Sequence, residues 1–224
     1  MFAGIAGRYD LLNHVLSLNI DKGWRRKVRA EIVEILTDPN AVVLDVACGT
    51  GDLSLELKSG AKAVVIGTDF CRPMLDVATE KIESNGGDLP LVEADAMALS
   101  FADDCFDAVT IAFGLRNLPD HLAGLKELQR VIKPGGKLVI LECSNPSVPG
   151  FRQLFKFYFE QLVPRIGGVI SGSRGAYTYL PDSVSRFPDK KTLASMMDGA
   201  GFENVKFQSL TGGTASLHCG TKTR

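Results

Sequence analysis

The residues best suited to chemistry in this chain stand where apolar runs end. Residues 43–51 read V-L-D-V-A-C-G-T-G, and Asp52 follows. An apolar run that stops at small, flexible residues has the form of a buried strand turning sharply beneath a ligand, because glycine lets the backbone come close to what is bound. Asp69 ends the run Ala63 to Thr68, 18 positions beyond Gly51. That separation suits a carboxylate accepting both hydroxyls of a ribose. Asp95, in L-V-E-A-D-A after a third strand-like run, is a second acceptor. Further along, Arg116 and Asn117 supply a fixed cation and an amide donor. Tyr9, Asp10 and His14 lie on an N-terminal segment that can close over such a site, and Asp10 or His14 can accept a proton.

The glycine spacing decides what the loop can hold. A dinucleotide fingerprint asks for G-x-G-x-x-G opening a helix onto a pyrophosphate. Here Gly49-Thr50-Gly51 is followed by Asp52 with no third glycine, and an acid in the first helical turn repels a phosphate. Each piece alone has a plainer meaning: Gly-x-Gly is often a tight turn, and an acid after a strand often caps a helix. Three in order at consecutive strand ends favour a cofactor site. The stretch resembles motif I of class I S-adenosylmethionine-dependent methyltransferases, with Asp45 as its opening acid. Adenosylmethionine carries no phosphate, so acids are compatible with its amino and sulfonium groups. The resemblance implies that Asp95 meets the adenine amino group.

Bulk properties narrow the class further. At 224 residues the chain suits one domain, large enough to bury its core without disulfides. Lys and Arg number 25 against 26 Asp and Glu, with no basic stripe, which disfavours nucleic acid as a partner. The five cysteines, at 48, 71, 105, 143 and 219, are scattered, with no C-x-x-C pair and no histidine at ligand spacing. They read as small apolar fillers in a reducing, cytoplasmic setting, and no metal site is expected. With no signal peptide and no long apolar span, a soluble chain is expected. Peripheral membrane contact and a homodimer stay open.

Strand-like and helical stretches alternate, so the expected fold is α/β, a mostly parallel sheet with helices on both faces. Strands are expected over 42–47, 63–68, 89–93, 106–111 and 136–143, and helices over 53–59, 73–84 and 123–131. Lys133-Pro134-Gly135-Gly136-Lys137 reads as a turn before the fifth strand. Residues 203–209 and 214–220 flank Gly212-Gly213 as a hairpin, giving seven strands. Two segments within the single domain are not required by that sheet: a helical one over 1–37 and an insert over 144–187. In the insert Phe151, Leu154, Phe155, Tyr158, Phe159 and Leu162 fall on one helical face opposite Arg152, Lys156 and Glu160. That face suits either core packing or contact with an apolar substrate and a membrane surface.

Longer motifs make the resemblance specific. F-D-A-V-T-I-A-F-G-L-R-N at 106–117, F-A-G-I-A-G-R-Y-D-L-L-N at 2–13, W-R-R at 24–26, Y-T-Y-L-P-D-S at 177–183 and L-T-G-G-T-A-S-L-H-C-G at 210–220 span nearly the whole chain. Together they resemble the quinone-ring C-methyltransferases of menaquinone and ubiquinone biosynthesis. The resemblance implies a Rossmann-like, seven-stranded methyltransferase sheet whose last strand is antiparallel. It implies adenosylmethionine contacts at Thr50, Asp69, Asp95 with Ala96, and position 112. Many relatives carry serine at that last site, so Ala112 offers only its backbone. Relatives also often carry histidine where this chain has Asp21, and no role of that histidine transfers.

The implied reaction places a methyl on a ring carbon of a polyprenylated quinol, most simply demethylmenaquinol, with a methoxy-benzoquinol or another small apolar acceptor as alternatives. A non-catalytic cofactor-binding subunit is the alternative from another class. A phenol titrates near 10, so ionising it at pH 7 costs about 4 kcal/mol. The ionised oxygen is what makes the neighbouring carbon nucleophilic. Such a site must stabilise a ring oxyanion, for which Arg116 and Asn117 are candidates. Structural alternatives are an Arg116–Asp120 ion pair, Asn117 as a helix cap and Asp10 as the cap of an N-terminal helix.

Overall fold

The computed structural model describes residue 17, residues 19–146, residue 153 and residues 182–223. Its frame is a seven-stranded sheet: β1 (Val42–Val46), β2 (Val64–Asp69), β3 (Leu91–Glu93), β4 (Phe106–Ala112), β5 (Ile132–Cys143), β6 (Phe202–Leu210) and β7 (Ala215–Lys222). The strand order is β3-β2-β1-β4-β5-β7-β6. β1 to β5 pair in parallel, and β7 runs antiparallel to both of its neighbours. Helices among the described residues include α1 (Ile20–Glu31), α2 (Val33–Leu36), α3 (Asp52–Lys58), α4 (Arg72–Ser84), α5 (His121–Val131) and α6 (Lys190–Gly199).

Successive residues of a strand point to opposite faces, and the central strands are apolar on both. Leu44, Val109, Ile111, Leu138 and Ile140 face a core shared with Leu125 and Leu128 of α5 and Leu193 and Met197 of α6. Val43, Val65, Val139 and Leu141 face a second core with Leu53 and Leu57 of α3 and Ile82 of α4. Runs buried on both sides are the mark of a parallel sheet sandwiched by helices. The seven strands and the antiparallel last strand are as the sequence leads one to expect.

Three features depart from expectation. The fifth strand begins at Ile132, and Lys133–Gly136 loop out of it, because the pairing with β4 jumps from Phe106↔Ile132 to Ala108↔Lys137. The turn residues are therefore a bulge inside a strand rather than its boundary. Helix α6 was not foreseen; Asp189 starts it by accepting the backbone N–H groups of Lys191 (3.0 Å) and Thr192 (2.8 Å), a capping arrangement.

The third departure is a correction. Part of the segment 1–37 belongs to the sheet's own core: Val28, Ile32 and Leu36 are buried and pack with Val43, Val65 and Leu141. The apolar helix face at 151–162 lies outside the described residues, as do Tyr9, Asp10 and His14. Among the described residues no helix is long and apolar enough to cross a membrane.

If α1 and α2 complete the core, Ile32→Ala should destabilise the whole domain by about 2–5 kcal/mol, the usual cost of such a truncation in a packed interior. Chemical denaturation with a single cooperative transition checks this; unchanged stability would mark the segment as an appendage.

Candidate functional site

The parallel strands end at one edge, and a cleft opens there. Its main cavity, about 350 Å³, is lined by Gly49, Asp69, Phe70, Asp95, Ala96, Ala112, Phe113 and Asn117 among others. That size suits a small-molecule ligand. A recess of about 70 Å³ continues it past Ala47, Gly49, Ala112 and Phe113, and is closed by Arg25, Asp45, Thr50 and Asp52.

The glycine loop is held by its acids. Asp69 Oδ2 accepts the Gly49 N–H at 2.8 Å and Oδ1 accepts the Cys71 N–H at 2.8 Å. One carboxylate thus joins the loop after β1 to the start of α4. Burial raises the Asp69 pKa, opposed by the N–H groups of Cys71 and Gly49 that favour its charge. Gly49 and Gly51 take positive φ values of 57° and 81°, where glycine is least strained. At Gly51 a side chain would also stand 3.3 Å from Ala78 Cβ of α4. Gly49 therefore lines the cavity, whereas Gly51 lets α3 and α4 approach.

Asp45 has a different task from its neighbours. It is 1 % exposed and accepts hydroxyl hydrogen bonds from Ser54 (2.6 Å) and Thr110 (2.9 Å). These bonds tie β1 to α3 and β4 beneath the recess. Burial pushes its pKa up to about 7 against the opposing pull of the two hydroxyls.

The ends of β1 and β4 are strained where they meet. Ala47 and Phe113 adopt φ values of 52° and 57°, uncommon for residues with a Cβ. A Cβ on Gly114 would stand 2.5 Å from Ala47 Cβ, so the glycine of F-G-L-R-N is required for these two turns to touch. Strain of this kind persists only where surrounding structure enforces it.

The cavity gathers most of the sequence-derived candidates. Gly49, Asp69, Asp95, Ala96, Ala112 and Asn117 line the main space, while Asp45 and Thr50 border the recess. Asp95 is fixed by accepting the Met97 N–H at 2.8 Å. Phe70, 75 % exposed, stands at the rim as an aromatic platform that the sequence reading did not pick out, although it follows Asp69 directly.

Arg116 is placed otherwise. Its guanidinium pairs with the buried Glu142 at 2.6 Å and also donates to the Phe113 carbonyl. The ion pair therefore goes to Glu142 and not to Asp120, whose side chain accepts the Ala123 N–H as the cap of α5. Glu142 further accepts the backbone N–H groups of Arg116 (3.1 Å) and Cys143 (2.8 Å). Glu142 ends an apolar run as Asp69 does, a signal that could have marked it. Asn117 closes a short 3₁₀ turn (Leu115–Asn117) and donates to the Phe113 carbonyl at 3.4 Å.

Asp21 is also structural here. It is 4 % exposed, accepts from Ser17 at 2.6 Å and pairs with Arg25 at 2.7 Å. The same helix carries Trp24, whose ring lies 6.0 Å from that of Phe113 and whose indole N–H donates to Thr211. α1 thereby walls one side of the recess.

A sheet of this order with a reversed last strand, a glycine loop after β1 and acids ending β2 and following β3 defines the Rossmann-like class of adenosylmethionine-dependent methyltransferases. The solved structure of Haemonchus contortus phosphoethanolamine N-methyltransferase 2 in complex with S-adenosyl-L-methionine shares this fold, with a TM-score of 0.62 at 13 % identity over 88 % of this chain and 53 % of that one. Residues 1–222 match the ubiE/COQ5 methyltransferase family, and the chain belongs to that family. It is 48 % identical to the demethylmenaquinone methyltransferase of Deinococcus radiodurans over 99 % of this chain and 91 % of that protein. It is 45 % identical to the ubiquinone/menaquinone biosynthesis C-methyltransferase UbiE of Geobacter sp. strain M21, over 99 % and 94 % of the two chains.

The Asp45 carboxyl gives a pH test. Its folded pKa, about 7, lies above the ordinary 3.8, so the stability it contributes is fully present below the unfolded value and lost as pH rises through about 7. Asp45→Asn should remove that slope. Thermal unfolding should show wild type losing more stability than the variant between about pH 4 and pH 7.5, the span bracketed by the two pKa values; parallel curves would contradict the assignment.

Proposed function

We propose that this chain uses S-adenosyl-L-methionine to methylate a ring carbon of a polyprenylated quinol, with demethylmenaquinol as the acceptor. The observation that carries the reading is the acid-lined cleft at the strand ends of a chain in this family. Its polar groups suit the cofactor: Asp69 for the ribose hydroxyls, Asp95 and Ala96 around the adenine beside the Phe70 ring, and the Ala112 backbone. Asp52, in the first turn of α3, makes the loop unsuited to a phosphate.

Bound there, adenosylmethionine supplies an electrophilic methyl group. The chain must then hold the quinol ring against it and stabilise negative charge on the ring oxygen as that hydroxyl ionises; the charge is consumed as the ring carbon takes the methyl and the S–CH₃ bond breaks, S-adenosylhomocysteine leaves, and the ring carbon gives up its proton to a base. Asn117 lines the cavity and is the amide donor for that oxygen. Arg116, paired with Glu142, holds the turn that carries Asn117. Tyr9, Asp10 and His14 are the proton-accepting candidates of the N-terminal segment. Alignment of the reacting atoms can supply about 7–11 kcal/mol of the barrier reduction, so neither a metal nor a covalent nucleophile is needed. A polyprenyl tail gains about 0.8 kcal/mol per CH₂ kept from water. Such an acceptor brings the protein to a membrane surface as a peripheral enzyme.

Purified protein supplied with adenosylmethionine and either demethylmenaquinol or the 2-methoxy-6-polyprenyl-1,4-benzoquinol tests the reading by mass spectrometry of the quinone product. A methyl gain on the naphthoquinol is expected. Methylation of the benzoquinol alone would shift the assignment to ubiquinone biosynthesis, and methylation of neither would reject it.

Two variants separate the roles. Asp69→Ala should weaken cofactor binding roughly a hundredfold or more, since each charge-assisted hydrogen bond contributes about 1.5–3 kcal/mol; calorimetric titration measures this. Asn117→Ala should instead lower turnover by about 10²–10³ while cofactor affinity stays near that of wild type. Lost affinity with normal turnover at saturation would move Asn117 to the cofactor site.

A further inference from the structure

The recess beyond Phe113 carries charges of both signs in a small space. Arg25 reaches it from α1 with its side chain 12 % exposed. Two acids fix the guanidinium: Asp21 contacts Nη1 at 2.7 Å and Asp52 contacts Nη2 at 3.1 Å. Asp52 is itself held by Lys81 of α4 at 2.7 Å. The group presents fixed, oriented charges of both signs, with Asp45 also bordering the recess. Of the five N–H donors of an arginine, these contacts engage one on each terminal nitrogen.

The recess is much the smaller of the two spaces, about 70 Å³ against about 350 Å³ for the main cavity, and suits a small end group of a ligand. It also shares Ala47, Gly49, Ala112 and Phe113 with the main cavity, so one ligand can extend from Asp69 into it. A group that is small, charged and zwitterionic matches this end: the carboxylate meets a planar cation, and acids stand within the same wall. A phosphate, wholly anionic, would meet Asp52 instead.

We infer that Arg25 is the carboxylate ligand for the α-amino-acid end of the bound cofactor, held in its fork geometry by Asp21 and Asp52. This rests on the adenosylmethionine reading above. Arginine suits the task because its planar donors match a carboxylate in two-point contact. Asp21 is then explained as the residue that aims Arg25 from one helical turn before it.

Calorimetric titration of the full chain with two probes tests the inference. S-adenosylhomocysteine carries the amino-acid end; 5′-methylthioadenosine keeps the adenosine and sulfur but lacks it. Arg25→Met should weaken S-adenosylhomocysteine binding roughly ten- to hundredfold, the range expected for a charge-assisted contact, and leave 5′-methylthioadenosine binding unchanged. Arg25→Lys should restore part of the loss. Equal weakening of both probes would show that Arg25 only braces the loop, and no weakening of either would show that it touches no ligand; both outcomes overturn the inference. Failure of the wild-type protein to bind either probe would overturn the cofactor reading itself.

Discussion

The carboxylate of Asp69 is the fastening on which the cleft depends. It draws the Gly49 N–H from the loop after β1 and the Cys71 N–H from the start of α4 onto one group. With the Cys48 N–H donating to the Thr68 carbonyl at 2.9 Å, that joint sets the loop's height above the sheet. Asp45 does related work one layer below, where its two oxygens bind hydroxyls from α3 and β4. The two acids therefore divide the labour: one is buried as a structural tie, the other faces the cavity while keeping its backbone partners. A third acid, Asp52 in the first turn of α3, disfavours a phosphate at that helix start and supports what the glycine spacing already suggests.

Much of this was legible in the sequence because the signals are local. A strand buried on both faces is a continuous apolar run, and its end is marked by glycine or aspartate. Thus β1, β2 and β4 and the acids at 69 and 95 follow from a few residues each. What escaped depends on partners far apart in the chain. The glutamate that compensates Arg116 lies 26 positions away, and Asp120, much nearer, is occupied as a cap. Similarly, α1 gives little sign of joining the sheet, because its polar face is rich in lysine and arginine and its core contacts are Val28, fully buried, and Trp24, packed against the cluster. The strand running through Lys133–Gly136 was hidden because a bulge and a turn use the same residues.

The F-G-L-R-N stretch shows how a sequence motif and a packing constraint coincide. Phe113 takes a strained backbone conformation and lines both cavities. Gly114 has no room for a side chain because Ala47 lies against it. Leu115 is fully buried in the core, Arg116 is locked to Glu142, and Asn117 reaches the cavity. Five consecutive residues thus perform five different tasks, and only the last two are polar. Substitution of Leu115, which lines neither cavity, would alter the site from beneath.

The placement of β7 has a consequence for how the chain reaches this structure. It is the last of the seven strands in chain order, yet it lies inside the sheet, hydrogen-bonded to β5 on one side and β6 on the other. During synthesis β5 therefore waits with an open edge until almost all of the sheet has emerged from the ribosome. Unpaired edges of that kind invite association with other chains. For this fold the period of greatest exposure to misassembly comes after six strands have been made, while one internal strand is still missing.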